Sequence, residues 1–382
     1  MSAQKYNIQN SEKLIPTGYI TAPDKGLLII VVFLSVIGIM MILSAGASKC
    51  IALGTNPGSF AIKQLIWFVF GIFGMSWFAK YDYKKLRQYA VPFAWIVVFS
   101  LILIDFTSLG VTVNGAKRWL ALGPFQLQPS EMTKPAIALL LACAFSKDVF
   151  LFDKVKIQKY FVPILAMVLL TAIQPNLSMV IIMGLVSLIV YIMAGGSLRM
   201  LCTLAGMAFL VLALKIKPYQ MSRIKVWLDP EMDPYGAGYN IIQSLLAFVS
   251  GGFFGVGFGA SRQKLEWLPE AHTDFIYAVI AEEWGFLGCL AIIWLFAWFL
   301  YRGITIAISC KDMFGKLLAA GLTFSIASQA FINMSVASSF FPATGVPMPF
   351  ISYGGTSLFV TMCMVGILLN ISKIRIMRNT DV

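Results

Sequence analysis

The stretch GLLIIVVFLSVIGIMMILSA, residues 26–45, decides the fold of this chain. It contains no charged residue and is about as long as the ~20 residues that an α-helix needs to cross the hydrocarbon core of a bilayer. Because lipid offers the backbone no hydrogen-bond partner, an apolar run of this length is expected to be helical. The stretch therefore predicts a membrane-spanning helix.

The composition extends this prediction to the whole chain. Of 382 residues, 59% are hydrophobic and 12% are charged, and the mean hydropathy is +0.83. Length and flanking charge indicate about ten spans. They cover residues 26–45, 61–79, 90–109, 132–145, 160–173, 177–194, 198–214, 275–300, 317–338 and 356–369. We predict an all-α, polytopic membrane protein in which residues 1–382 form a single integral membrane domain.

Basic residues occupy alternate loops, which predicts the orientation. Lys and Arg cluster at residues 80–87, 147–159, 302–316 and 373–378. Cytoplasmic loops carry such an excess, so these loops and the tails 1–24 and 371–382 are expected to be cytoplasmic. The net charge of +12 then reflects membrane orientation and indicates no nucleic-acid partner.

The opposite face carries two sizeable loops. One covers residues 110–131, and the larger covers residues 215–274 between spans seven and eight. A loop of this length is usually functional or disordered. Its middle, residues 241–258, is apolar enough to form an interfacial or re-entrant helix.

The end of the larger loop, LEWLPEAHTDF at residues 265–275, is rich in acidic residues. Asp274 stands where the next span begins, and one interpretation is that it caps that helix. It could equally act as a base or bind a cation at a membrane-mouth cavity, and these interpretations are compatible. Further along, Glu282 and Glu283 are expected either to pair with a basic residue of another span or to line a polar cavity.

A second polar cluster, NGAKRWLALGPFQLQPSEMTK, covers residues 114–134. Ser130 is expected to cap the following helix, with Glu131 favourable at its positive end. Lys134 would then lie inside a span. It could face a phosphate or pair with Glu282 or Glu283.

The segment FPATGVPMPFISYGGTS, residues 341–357, contains three prolines, three glycines and no charged residue. Broken backbone at membrane depth is tolerated only inside protein or beside a water-filled cavity. Since no Lys follows the glycines, the segment is a poor phosphate loop and is better interpreted as a cavity wall. No metal-ligand spacing is present in the chain.

Four motifs together resemble the SEDS family of shape, elongation, division and sporulation proteins. They are NGAKRW with QPSEMTK, DPEMDPYGAGYNIIQS, GASRQKLEWLPEAHTDFIYAVIAEEWG and GVPMPFISYGGTSL. The resemblance covers residues 24–374, and the third motif is closer to the FtsW and SpoVE members than to RodA. One departure is QPNLS at residues 174–178 where the family usually has QPDLG; Asn176 loses the charge but can still cap a helix.

The resemblance implies a peptidoglycan glycosyltransferase that polymerises lipid II at the outer face of the bacterial cytoplasmic membrane. It implies a class B penicillin-binding protein as partner, with other divisome or elongasome membrane proteins, in cell division or cell-shape maintenance, and the division septum as location. The family's essential aspartate falls on Asp274. The candidate substrate-binding residues are Lys117, Arg118, Gln128, Ser130, Glu131, Lys134, Glu270, His272, Thr273, Glu283, Ser352, Gly354 and Gly355.

Within this framework Asp274 would deprotonate the acceptor hydroxyl, and Lys117, Arg118 and Lys134 would face the pyrophosphate. A divalent cation such as Mg²⁺ or Mn²⁺ held by Asp274 could assist instead. The main alternative function is a lipid II flippase or another transporter, because internal carboxylates also suit substrate movement. A third possible function is that of a scaffold that recruits a division enzyme.

Overall fold

The computed structural model describes residues 22–113, 116–122, 125–147, 154–174, 176–197, 199, 218–236, 238–265 and 267–373. The predicted seventh span, apart from position 199, and most of both predicted tails lie outside these residues. The long helices are α1 Lys25–Ala52, α2 Ser59–Lys80, α3 Leu86–Phe106, α4 Pro129–Phe145, α5 Lys154–Ile173 and α6 Leu177–Met193. They continue with α7 Pro218–Leu228, α8 Tyr239–Gly251, α9 Ile276–Ser309, α10 Met313–Ala337 and α11 Gly355–Ser372.

These helices confirm the predicted polytopic architecture. Within the described ranges, seven helices are long and apolar enough to cross a membrane, and α6 is a shorter apolar helix. Each predicted span that lies within the described residues coincides with a helix. The most enclosed helices are α4, α10 and α11, so they form the centre of the bundle while α2 faces outward.

A small sheet forms in the first outer loop, where the sequence analysis predicted no strands. The strands β1 Gly110–Val113, β2 Ala116–Leu122 and β3 Phe125–Leu127 pair antiparallel in that order. The three strands are short and their polarity is mixed, which explains why no alternating pattern revealed them. The sheet carries Lys117 and Arg118 on neighbouring positions of β2, whose side chains point to opposite faces.

The apolar middle of the larger outer loop forms a helix, as predicted, and the chain that follows it packs against α9. Helix α8 ends at Gly251, and the next residues bond to the backbone of α9 where that helix is broken at Gly285, whose φ is +66°. Val256 N donates to Glu282 O at 2.9 Å, and Phe286 N donates to Gly252 O at 2.9 Å. Gly285 lies about 14 Å along α9 from its first residue, so these contacts occur well below the outer end of the helix.

The loops predicted to share the basic face gather at one end of the bundle. Asp24 pairs with Arg302 at 2.5 Å, and its N–H donates to Ser372 Oγ at 3.0 Å. Nearby, Tyr83 N donates to Asn370 Oδ1 at 3.0 Å, which joins the α2–α3 turn to α11. The predicted alternation of loops is therefore consistent with the packing, and the acidic motif lies at the other end.

Candidate active site

Asp274 lies in a hydrogen-bonded turn just outside α9, so the prediction that it caps that helix is wrong. The helix begins at Ile276, and its cap position is Phe275. Glu270, with a φ of +55°, closes the turn because its carbonyl accepts from Thr273 N at 3.1 Å. The Asp274 side chain is thereby released from the helix end and left half-buried.

The Asp274 carboxylate and the Arg118 guanidinium face the same gap. A methyl group added to Gly345 would lie 3.2 Å from Asp274 Oδ2 and 3.8 Å from Arg118 Nη1. The two side-chain atoms are therefore no more than about 7 Å apart, the sum of those distances. Arg118 is oriented by its Nε, which donates to Gln174 O at 3.0 Å. The absence of a side chain at residue 345 keeps the gap open.

The surroundings of Asp274 tune its acidity. Burial and the nearby charge of Glu270 raise its pKa to about 7, while Arg118 and Arg223 act in the opposite direction. Burial also works against the charged form of Glu270, but Lys49, whose Nζ lies 3.0 Å from Glu270 Oε1, lowers the pKa of that carboxyl overall. Glu270 therefore stays ionised and Asp274 titrates near neutral pH, where a general base works best.

His272 and Thr273 are engaged within the protein. The His272 ring stacks on Phe60 with centroids 4.8 Å apart, and burial followed by the charge of Lys49 lowers its pKa to about 4. Thr273 Oγ1 donates to Glu270 Oε2 at 3.0 Å, and its carbonyl accepts from Ser352 Oγ at 2.5 Å. The imidazole is therefore neutral at neutral pH, and both residues hold the turn in place.

The segment at residues 341–354 is non-helical, and its buried residues lie between positions 346 and 352. Ser352 is buried, and its carbonyl accepts from Gln64 Nε2 at 3.2 Å. Gly354 N donates to Gln64 Oε1 at 3.2 Å, while a methyl group on Gly355 would lie 2.1 Å from Trp67 Nε1. Helix α2 therefore contacts this segment at Ser352 and Gly354, and it contacts the start of α11 at Gly355.

Lys134 pairs with Glu131, so its predicted pairing with Glu282 or Glu283 is wrong. Its Nζ lies 2.6 Å from Glu131 Oε2, and both side chains are 1% exposed. Lys134 also donates to Gln329, and Ser357 Oγ donates to Glu131 Oε2 at 3.0 Å. Residues three apart on a helix face each other, and α4 packs against α10, which brings Gln329 into reach.

Helix α4 begins two residues earlier than its capping prediction required. Gln128 is at the cap position, so Ser130 lies inside the first turn and does not cap the helix. Glu131 is in that first turn, as predicted. Gln128 is buried, and its N–H donates to Thr356 Oγ1 at 3.4 Å, which ties the start of α4 to α11.

The two adjacent carboxylates of α9 hold the outer loop. Glu282 accepts from Ser261 Oγ at 2.5 Å and from the N–H groups of residues 262 and 263 at 3.0 and 3.2 Å. Glu283 pairs with Lys264 at 2.7 Å and accepts from Ser44 Oγ at 2.5 Å. The basic partner thus belongs to the outer loop and not to another span, which corrects the prediction.

Of the three predicted phosphate-facing cations, the structure brings Arg118 to Asp274. Lys117 Nζ instead donates to Thr107 O at 2.7 Å, and Lys134 is enclosed. Asn176 caps α6 as predicted, with its side chain accepting from Met179 N. Glu266 lies outside the described residues, and among those described no group of three or more His, Cys, Asp or Glu side chains is arranged to hold a metal ion.

The sequence analysis missed several uncharged amides that shape the site. Gln64, Gln329 and Asn333 are buried in apolar helices, and each bonds to the segment at residues 341–354. A polar side chain inside a membrane span is costly unless it is paired. An amide inside an otherwise apolar span was therefore the signal in the sequence that could have revealed these residues.

The sequence of this chain is similar to those of known proteins. The family model for FtsW, RodA and SpoVE, described as cell cycle protein, matches residues 25–376. The chain belongs to the FtsW/RodA/SpoVE family. A relative named probable peptidoglycan glycosyltransferase FtsW, from Trichlorobacter lovleyi, is 39% identical over 91% of this chain and 93% of its own length. Stage V sporulation protein E of Bacillus subtilis is 37% identical over 92% of this chain and 98% of its own length.

Solved structures share the fold, among them that of a RodA protein. A chain solved in work on the structural coordination of polymerization and crosslinking by a peptidoglycan synthase complex is similar with a TM-score of 0.74. It is 28% identical and covers 92% of this chain and 98% of its own length. The rod shape determining protein RodA of Thermus thermophilus is similar with a TM-score of 0.69, 25% identity, and coverage of 94% and 99%. This chain is therefore a polytopic membrane protein, within the residues that the structure describes.

Proposed function

We propose that this protein is a peptidoglycan glycosyltransferase that polymerises lipid II at the outer face of the bacterial cytoplasmic membrane. The observation that carries the proposal is the gap between Asp274, Arg118 and Gly345, which holds a carboxylate with a pKa of about 7 beside a permanent cation. Relatives named peptidoglycan glycosyltransferase support the chemistry.

Asp274 acts as the general base in this proposal. Its carboxylate takes the proton of the acceptor sugar's 4-hydroxyl, and that oxygen forms a bond to the anomeric carbon of the donor. The bond from this carbon to the pyrophosphate breaks, its electron pair leaves with the pyrophosphate, and the anomeric configuration is inverted. Arg118 stabilises the charge that develops on the leaving group, since a guanidinium binds phosphate through several N–H groups.

The partner and the location follow the same proposal. A class B penicillin-binding protein would supply the crosslinking activity, which is supported by the similar chain solved in a peptidoglycan synthase complex. Both termini would be cytoplasmic, because the basic loops gather at the end of the bundle opposite Asp274. The protein would act at the division septum with other divisome or elongasome membrane proteins.

An assay in vesicles that contain the purified protein and fluorescent lipid II distinguishes a glycosyltransferase from a flippase. With a class B penicillin-binding protein present, we expect glycan strands on a gel, made from lipid II of the leaflet that Asp274 faces. A flippase would instead transfer lipid II between leaflets, measured by dithionite quenching, and would make no polymer. Transfer without strands would therefore overturn the proposal.

A further inference from the structure

Asn333 of α10 holds two separate backbone segments with one amide group. Its side chain is 1% exposed, and Nδ2 donates to Asp274 O at 2.7 Å and to Val346 O at 2.8 Å. Both partners are carbonyl oxygens, which only accept, so the amide nitrogen must face them and the orientation of the side chain is fixed. Asn333 thus joins the turn that carries the base to the segment at residues 341–354.

The two segments are the walls of the gap at the candidate active site. Val346 follows Gly345, whose added methyl group would lie 3.2 Å from Asp274 Oδ2. One turn earlier on α10, Gln329 Nε2 donates to Pro347 O at 2.8 Å, so two side chains of this helix anchor neighbouring residues of the same wall. Only Asn333 of this pair also bonds to residue 274. The width of the gap therefore depends on this amide.

We propose that Asn333 is a positioning residue, which fixes the backbone of Asp274 against the Gly345 wall and so keeps the carboxylate beside Arg118. The inference deepens the proposed function and rests on it. A displacement of about 1 Å at a reacting group is enough to reduce turnover about 10²-fold. Since Asn333 bonds to the backbone of residue 274 and not to its carboxylate, it acts through Asp274.

The kinetic test compares variants at the two ends of the bundle. Asn333→Leu removes both donors and keeps the number of side-chain heavy atoms, and Asn333→Ala removes both donors without adding bulk or charge. The matched control is Asn370→Leu, since buried Asn370 also bridges two backbone groups, Tyr83 N and Ala79 O, at the opposite end. We expect both Asn333 variants to lower kcat about 10–100-fold with KM changed less than about twofold, and the control to keep kcat at a similar loss of Tm.

A second measurement needs no substrate. Isotope-edited infrared spectroscopy follows the protonation of the Asp274 carboxyl group as the pH is changed, and Asp274→Asn serves as the blank. The charged groups that face this carboxyl are Glu270, Arg118 and Arg223. We expect a midpoint of about 7 in the unaltered protein and a midpoint lower by about one pH unit or more in Asn333→Leu, because the released carboxylate is better hydrated.

An unchanged midpoint, or a loss of kcat that Asn370→Leu reproduces, would make Asn333 a merely structural residue and overturn the inference. If the unaltered protein makes no polymer, the proposed function fails, while the infrared titration still decides whether Asn333 positions Asp274. Should Asn333→Leu not fold, Asn333→Ala gives the same reading, since it also removes both donors and adds no charge.

Discussion

Replacing Asp274 by Asn is expected to abolish glycan polymerisation. The amide has nearly the same shape as the carboxylate, but it cannot accept the proton of the acceptor hydroxyl. General-base assistance is typically worth about 10²–10⁴ in rate, which would bring strand formation to the limit of detection. The measurement is the initial rate of strand formation from lipid II by the purified protein with its penicillin-binding partner.

Two controls accompany this variant. Glu231→Gln makes the same chemical change at an exposed carboxylate of the same outer loop and should leave the rate unchanged. Co-purification of the partner with Asp274→Asn should persist, because the substitution alters no backbone contact of the turn. Long strands produced by Asp274→Asn would remove residue 274 from the role of base.

Replacing Lys134 by Met is expected to cause the largest loss of stability. The change leaves Glu131 enclosed without its cation, with Ser357 Oγ and any penetrating water as its remaining support. Removing one member of a buried ion pair typically costs about 3–5 kcal/mol. We expect that loss in the free energy of unfolding, measured by denaturant titration in detergent micelles.

The double variant Lys134→Met with Glu131→Leu tests the cause of that loss. Because it removes both charges, it should recover a large part of the stability lost in the single variant. A single variant that keeps its stability but loses turnover would contradict the structural role of Lys134. It would instead return this residue to the pyrophosphate site that its position in the sequence suggested.

The membrane architecture was predictable because it depends on properties that the sequence displays directly. Long apolar runs such as residues 26–45 must be helical in lipid, and clusters such as residues 80–87 mark one membrane face. A helix within residues 241–258 was predictable for a similar reason, since an apolar segment inside a polar loop has to be covered. Local capping at Asn176 needed only neighbouring residues and was also confirmed.

The side-chain partners were not predictable, because they depend on how helices are rotated and shifted against each other. Lys134 and Glu131 lie three residues apart on α4, a local pairing that the sequence analysis did not weigh, whereas the bond from Lys134 to Gln329 depends on the packing of α4 against α10. Ser130 and Asp274 have good capping side chains, but each helix begins at a different residue than composition suggested. The role of Asn333 needs two backbone carbonyls that lie far apart in sequence.

The pH dependence of strand formation tests the central claim most directly. The rate should rise with pH and reach half of its maximum near the pKa of Asp274, about 7, because only the ionised carboxylate accepts a proton. In Glu270→Gln the midpoint should move to lower pH, since this change removes a negative charge that disfavours ionisation of Asp274. A rate that stays constant between about pH 5 and pH 8, or a midpoint that ignores Glu270→Gln, would contradict the assignment of Asp274 as the base.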